Sequence, residues 1–198
     1  MAFPTIEAPY GLIPVNRLDG LPYAGAMRTF PIASGYSSNI FKGDLVKLIG
    51  DGTIEKDTGT TAATPVGVFM GCVYSSPGLN YYLHSQYFPA DTAADDIAAY
   101  VVDDPNALFK VAAVSATTSI NGYGQLIVGA NVALVQNAGD TATGNSKVAI
   151  LGSSAATTAT LPVRIIQGVA ETVDSSGNFT EFLVKWNAGH QYLNTTGV

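Results

Sequence analysis

At 198 residues, 47% of them hydrophobic, the chain is long enough to bury a core without a metal staple, and its single cysteine, Cys72, excludes an internal disulfide. Only 12% of residues are charged, about half the usual share. Thr, Ser, Gly and Ala take their place, which disfavours long helices and favours strands and tight turns. The net charge is −6 and the nine basic residues are scattered singly, so no footprint for a nucleic-acid backbone is present.

Met1 to Glu7 has neither a basic region nor an apolar run, so no signal peptide is expected, and no stretch of roughly 18 apolar residues predicts a membrane span. Residues 1–35 carry half of the chain's ten prolines, at positions 4, 9, 14, 22 and 31. Each removes a backbone donor and pushes its predecessor toward extended conformations, so no helix is expected there. The segment nevertheless holds Tyr10, Leu12, Ile13, Leu18, Tyr23 and Phe30. A free linker would not keep so many large apolar groups. The expectation is an extended arm laid along another surface, either its own body's or a neighbour's.

From residue 36 the pattern is that of short strands between turns. Asp44 to Ile49 reads as a strand, with Asp51-Gly52 as the hairpin turn into Thr53 to Lys56. Val66 to Val73 follows, then a Ser-Pro-Gly loop and an aromatic stretch containing Tyr81, Tyr82, Tyr87 and Phe88. A short helix is expected near Asp91–Asp96. Ile97 to Val102 and Leu108 to Val114 read as strands joined through Asp103-Asp104-Pro105-Asn106, and Asn121-Gly122 offers a turn. Further strands are expected at 131–136, 147–151, 161–169 and 179–186, with Ser175 to Asn178 as the turn before the last. The spacing predicts an all-β fold: a compact β-sandwich or β-barrel body over 36–198, as one unit or two small subdomains, with the proline-rich arm added.

Chemistry-bearing motifs are near misses. Gly139 to Ser146 has the glycine spacing of a phosphate loop, but Asn145 stands where the lysine belongs. Asp91, Asp95, Asp96, Asp103 and Asp104 lack the spacing of a calcium loop; they read as solvated loop ends, with a loosely held cation or a basic partner as alternatives. His84 and His190 lie far apart without zinc-site spacing, and no Gly-x-Ser-x-Gly elbow occurs. No catalytic residue, cofactor, metal or small-molecule substrate is therefore expected. Cys72, in an apolar run, reads as a small buried hydrophobe. Phe182, Val184 and Trp186 share one face of a strand, which favours a core position for Trp186. Together with Tyr81, Tyr82 and Tyr87, it is also the candidate carrier of a recognition surface.

Several segments together carry a resemblance: Gly11-Leu12-Ile13-Pro14-Val15, Tyr36 to Lys47 with its Gly43-Asp44, and Pro65 to Gly71. Tyr100 to Pro105, Thr143-Gly144-Asn145-Ser146 and Ala159 to Arg164 follow in the same order. The set is similar to decoration (cement) proteins of tailed-bacteriophage capsids of the marine and freshwater type, and it spans most of the chain. The resemblance implies a non-enzymatic virion protein made in the host cytoplasm. Such a protein would sit on the outer capsid surface as a homotrimer and bridge subunits of the major capsid protein. Under that expectation the arm would contact the shell through Tyr10, Leu12, Ile13, Leu18, Tyr23 and Phe30, with Arg17 and Arg28 pairing capsid carboxylates. The alternative is a receptor- or glycan-binding β-domain of a phage tail or fibre, carried by Tyr81, Tyr82, Tyr87 and Trp186.

Overall fold

The computed structural model describes residues 8–76, 78, 81–114, 127–172, 179–194 and 197. The expected turns at Asn121-Gly122 and Ser175 to Asn178 lie outside the described residues, as do Met1 to Glu7. The described chain is nearly all β. Its elements are β1 (Ile13–Arg17), β2 (Arg28–Pro31), β3 (Leu45–Leu48), β4 (Ile54–Lys56), β5 (Gly67–Ser75), β6 (Tyr82–Ser85) and β7 (Ala98–Val102). Then come β8 (Ala107–Val114), β9 (Asn131–Val132), β10 (Leu134–Val135), β11 (Ala149–Leu151), β12 (Val163–Gly168) and β13 (Glu181–Trp186). Single 3-10 turns occur at Gly152–Ser154, Ala170–Thr172 and Gln191–Leu193.

Seven strands form a sheet in the order β10-β11-β8-β13-β12-β9, with β1 also paired to β8. Its end strands β9 and β10 are separated in sequence only by Ala133, so the chain itself nearly closes the sheet into a barrel. The expected single strand at 131–136 is thereby split. At Ala133 the backbone turns a corner: its N–H goes to the Ser154 hydroxyl at 2.8 Å, and its carbonyl accepts from Leu151. Six strands form the second sheet, β2-β7-β5-β3-β4, with β6 on β5.

Alternation builds two cores. Phe109, Val111, Val163, Ile165, Phe182, Val184 and Trp186 point into the barrel. In the second sheet Leu45, Val68 and Val102 face that same core, whereas their neighbours Val46, Phe69 and Val101 face a second one with Ile40, Tyr74 and Phe88. The register shift between Phe69 and Gly71 adds a residue to β5, which is why Phe69 and Cys72 share a face despite odd spacing.

The described arm, residues 8–35, lies along its own body, one of the two surfaces expected for it. β1 pairs β8 and β2 pairs β7, each as an outer strand. Proline dictates this placement: Pro14 and Pro31 cannot donate to a central ladder, and the register of β1 shifts beside Pro14. The helix expected near Asp91–Asp96 is absent. Asp91 takes a left-handed conformation (φ 58°) and gives its N–H to Tyr36, while the Thr92 carbonyl accepts from Gly35. These backbone groups are thus used by the 33–36 turn and not by a helical ladder.

One buried carboxylate ties the pieces together. Asp44, fully buried, accepts from the Phe41 N–H (2.9 Å), Lys56 Nζ (2.7 Å) and Ser146 Oγ (2.6 Å). Gly43 and Gly11 pack back to back beside it, with Leu12 N–H bonded to the Gly43 carbonyl at 3.0 Å. Both glycines have positive φ, and a Cβ on Gly11 would lie 2.7 Å from the Gly43 oxygen and from Ser146 Cβ. Ser146, the last residue of the glycine-spaced loop, is therefore a structural residue.

Asp44→Ala should lower the unfolding free energy by about 3–5 kcal/mol, because it leaves the partly buried Lys56 ammonium, the Phe41 N–H and the Ser146 hydroxyl without their shared partner. The paired change Asp44→Leu/Lys56→Met should cost less than Asp44→Ala alone. Urea unfolding checks this; a cost below about 1 kcal/mol for Asp44→Ala would mean that Lys56 swings to water unharmed.

Candidate interaction surface

The turn that carries the chain from β7 to β8 moves it from one sheet to the other, and it presents Asp103 and Asp104 at the crossing. Asp104 organises the turn by accepting from the Asn106 N–H at 2.8 Å. The arm passes on the same side: Leu18 N–H bonds to the Asn106 carbonyl at 2.8 Å. Arg17 Nε sits 3.2 Å from Asp104, and Arg17 also reaches Asp19 at 3.4 Å. Arg28 Nε sits 3.2 Å from Asp103, which accepts the Tyr192 hydroxyl at 2.9 Å. The Arg28 guanidinium lies 5.7 Å from the Tyr192 ring centre.

The arginines expected to meet a partner's carboxylates thus already pair with the chain's own. In turn, the basic partner considered for Asp103 and Asp104 is the arm. Exposed pairs of this kind contribute about 0–1 kcal/mol each, so their effect is mainly to set orientation. Burial, and then the neighbouring aspartates, push the Tyr23 and Tyr192 hydroxyls above the ordinary tyrosine range.

Between these groups lies an open groove of about 400 Å³, walled by Ala26, Met27, Arg28, the Asp103–Pro105 turn and Tyr192. A second groove adjoins Arg17, Leu18, Asp19 and Asn106. Apolar side chains of the two grooves meet solvent, with Met27 and Leu18 each 47% exposed; Leu21 and Leu193, close in sequence to Leu18 and Tyr192, are 56% and 59% exposed. Ile13 and Val15 on β1 are exposed as well. Large apolar groups around a fixed ionic centre make an amphipathic face suited to protein contact.

Of the predicted arm contacts, the structure gathers Arg17, Leu18, Tyr23 and Arg28 here and leaves Ile13 exposed nearby in sequence. Leu12 drops out of the set because it is fully buried in the barrel core. Phe30 packs partly buried against the second core. Tyr10 is also held by the body: its hydroxyl donates to Glu181, which pairs with Lys110 at 3.1 Å, and Lys110 lies over the Tyr10 ring. Burial, with Glu181 adding to it, raises the Tyr10 hydroxyl far above its usual range. Tyr192 and Leu193 escape notice in the sequence. They are two apolar residues in a polar tail, and only tertiary structure sets Tyr192 against Asp103.

The four residues of the alternative recognition surface do not form one platform. Tyr81 and Tyr82 are exposed, Tyr87 stacks on Phe41 at 5.5 Å, and Trp186 is buried against Phe109 at 5.3 Å. The acidic residues are likewise split: Asp96 lies before β7 and bonds Ser75, whereas Asp103 and Asp104 follow β7. Among the described residues, no three His, Cys, Asp or Glu side chains group to hold a metal ion, and no helix is long and apolar enough to cross a membrane. The Cys72 thiol is buried in the second core, which pushes its pKa up to about 12 and leaves no thiolate at neutral pH. No protein-family model, curated protein or solved structure matches the chain.

His190 is fully buried between Trp186 and Tyr192, with Nδ1 accepting the Tyr192 N–H at 3.3 Å. Desolvation lowers its pKa to about 4, although Asp103 and Asp104 pull the other way. Below about pH 6.5 the unfolded chain therefore takes up a proton that the folded chain refuses, and stability falls until about pH 4. Between pH 7.5 and 5 this contribution should amount to about 2 kcal/mol. Urea midpoints of the parent and His190→Gln at both pH values test it; an equal acid loss in the two proteins would remove His190 as the cause.

Proposed function

We propose that this chain is a non-enzymatic structural protein of a tailed-phage virion that binds the outer capsid surface and bridges subunits of the major capsid protein. The observation that carries the reading is the amphipathic face where the arm crosses the β7–β8 turn. Its apolar rim offers area worth roughly 25 cal/mol per Å² when covered. Arg28, tied to Asp103 through Nε while its side chain stays 70% exposed, keeps outward donors for a carboxylate of the shell.

The low share of charge and the resemblance of six ordered segments to capsid decoration proteins support the same reading, as does an all-β body. A symmetric shell repeats each contact many times, so modest affinity per copy suffices to hold the coat. The homotrimer is part of the proposal and follows from the resemblance. A tail or fibre glycan-binding role draws less support, because two of its four carriers, Tyr87 and Trp186, are taken up by internal packing.

Deleting residues 2–30 is a poor test of docking, since it removes β1, most of β2 and the buried Leu12. Surface changes are better. Leu18→Glu/Met27→Glu should leave the fold intact and reduce occupancy on expanded shells lacking this protein by about tenfold or more at equal concentration. Cryo-EM of the decorated particles reads both occupancy and position. Undiminished occupancy of the variant, or density on a tail or fibre instead of the shell, would overturn the proposal.

A further inference from the structure

The basic residues stand singly in the sequence, but folding sets two of them opposite each other. Arg164 on β12 and Lys185 on β13 are Cα partners across the antiparallel ladder. Their chain neighbours Val163, Ile165, Val184 and Trp186 all belong to the barrel core, so alternation turns Arg164 and Lys185 to the outer face. Like charges placed opposite each other on neighbouring strands destabilise a sheet unless a carboxylate relieves them. Neither residue has an ion-pair partner among the described residues. Glu181, the one acidic residue of β12 and β13, is already taken by Lys110 at 3.1 Å and by the Tyr10 hydroxyl.

The surrounding sequence supplies no substitute. Neither Thr141 to Ala170 nor Phe182 to Val198 contains an Asp or a Glu. The net negative charge belongs to residues 1–104, with eleven acidic and five basic residues, whereas residues 105–198 hold four of each. Arg164 is also held in place. Its Nε donates to Asn131 Oδ1 at 2.8 Å, and the buried Asn131 is fixed in turn by donating its amide N–H to the Thr158 carbonyl at 3.0 Å. The end nitrogens of the guanidinium and Lys185 Nζ have no partner among the described residues. A guanidinium braced through Nε keeps two parallel donors for a carboxylate, and the ammonium across the ladder adds a second positive group.

Two cations are few for a nucleic-acid backbone, whose binding scales with the number of phosphates neutralised. A second copy of the chain fits no better. Asp44, Glu55, Asp103, Asp104 and Glu181 are already paired with the chain's own cations, and two chains of net charge −6 repel. We propose that Arg164 and Lys185, with Asn131 as the brace, form a docking site for an acidic segment of a different protein. Its carboxylates relieve the like-charge pair, and the fixed guanidinium sets its orientation. The site shares no residue with the amphipathic face at the β7–β8 turn, so its failure would leave the shell-binding reading untouched.

The test titrates the isotope-labelled full chain with acetyl-Glu-Gly-Glu-amide and follows the backbone amides by NMR. At about 20 mM salt, saturable shifts centred on Asn131, Arg164 and Lys185 are expected, weakening about threefold or more at about 150 mM salt. Arg164→Gln/Lys185→Gln should weaken binding by about tenfold or more. Lys42→Gln/Lys147→Gln, which removes the same charge from two other cations without ion-pair partners, should change it by less than about twofold. Acetyl-Gln-Gly-Gln-amide leaves the protein unaltered and should bind about tenfold more weakly, so a folding defect in a variant cannot mask the outcome. Equal binding of the two peptides, shifts centred elsewhere, an equal loss in both variants or no shifts at millimolar peptide would each overturn the proposal. So would tighter binding of a short oligothymidylate, or self-association of the chain that Arg164→Gln/Lys185→Gln abolishes.

Discussion

Asp44 organises this molecule because a buried carboxylate cannot be left half-satisfied. Out of water, the charge demands a cation and hydrogen bonds, and each of its partners comes from a different stretch of chain: Phe41 from the preceding turn, Lys56 from β4 and Ser146 from the loop before β11. The backbone beside it joins two more. Gly43 meets Gly11 and Leu12 of the arm, and Phe69 of β5 exchanges hydrogen bonds with Gly43 and Asp44. The net stabilisation from such a buried pair is small, because desolvation offsets most of the attraction. Its larger effect is on alternatives, since any other register of these segments would bury Asp44 or Lys56 without a partner.

Once the arm is pinned at Gly11 and Leu12, its later course is narrowly constrained. Prolines exclude it from a central ladder position, so it adds to the outside of each sheet in turn, first on β8 and then on β7. Those two strands are joined by the Asp103–Asn106 turn. The arm must therefore cross that turn, and Arg17 and Arg28 find Asp104 and Asp103 there. The amphipathic face is thus a geometric consequence of the anchor and the prolines, with the ion pairs locking what the topology brings together.

Around the groove, positive and negative groups are matched within the chain, and what remains available is apolar area and the free side of Arg28.

The all-β class, the hairpin of β3 and β4, the strands near β5, β7, β8, β12 and β13, and the core position of Trp186 are legible in the sequence. They depend on turn residues, on alternation and on proline's missing donor, all of which act within a few residues. Gly43-Asp44 and Thr143 to Ser146 stand out in the sequence as separate segments, but nothing local says that they meet. The Asp44–Ser146 contact spans 102 positions, Tyr192 to Asp103 spans 89, and Tyr10 to Glu181 spans 171. The same holds for the acidic residues around β7, which read as one cluster and separate because a strand runs between them. Sequence by itself determined which segments extend and which side chains seek the interior. Only the tertiary structure decided which of them meet, because strand pairing is a choice among distant partners that local dihedral and hydrophobic preferences do not distinguish.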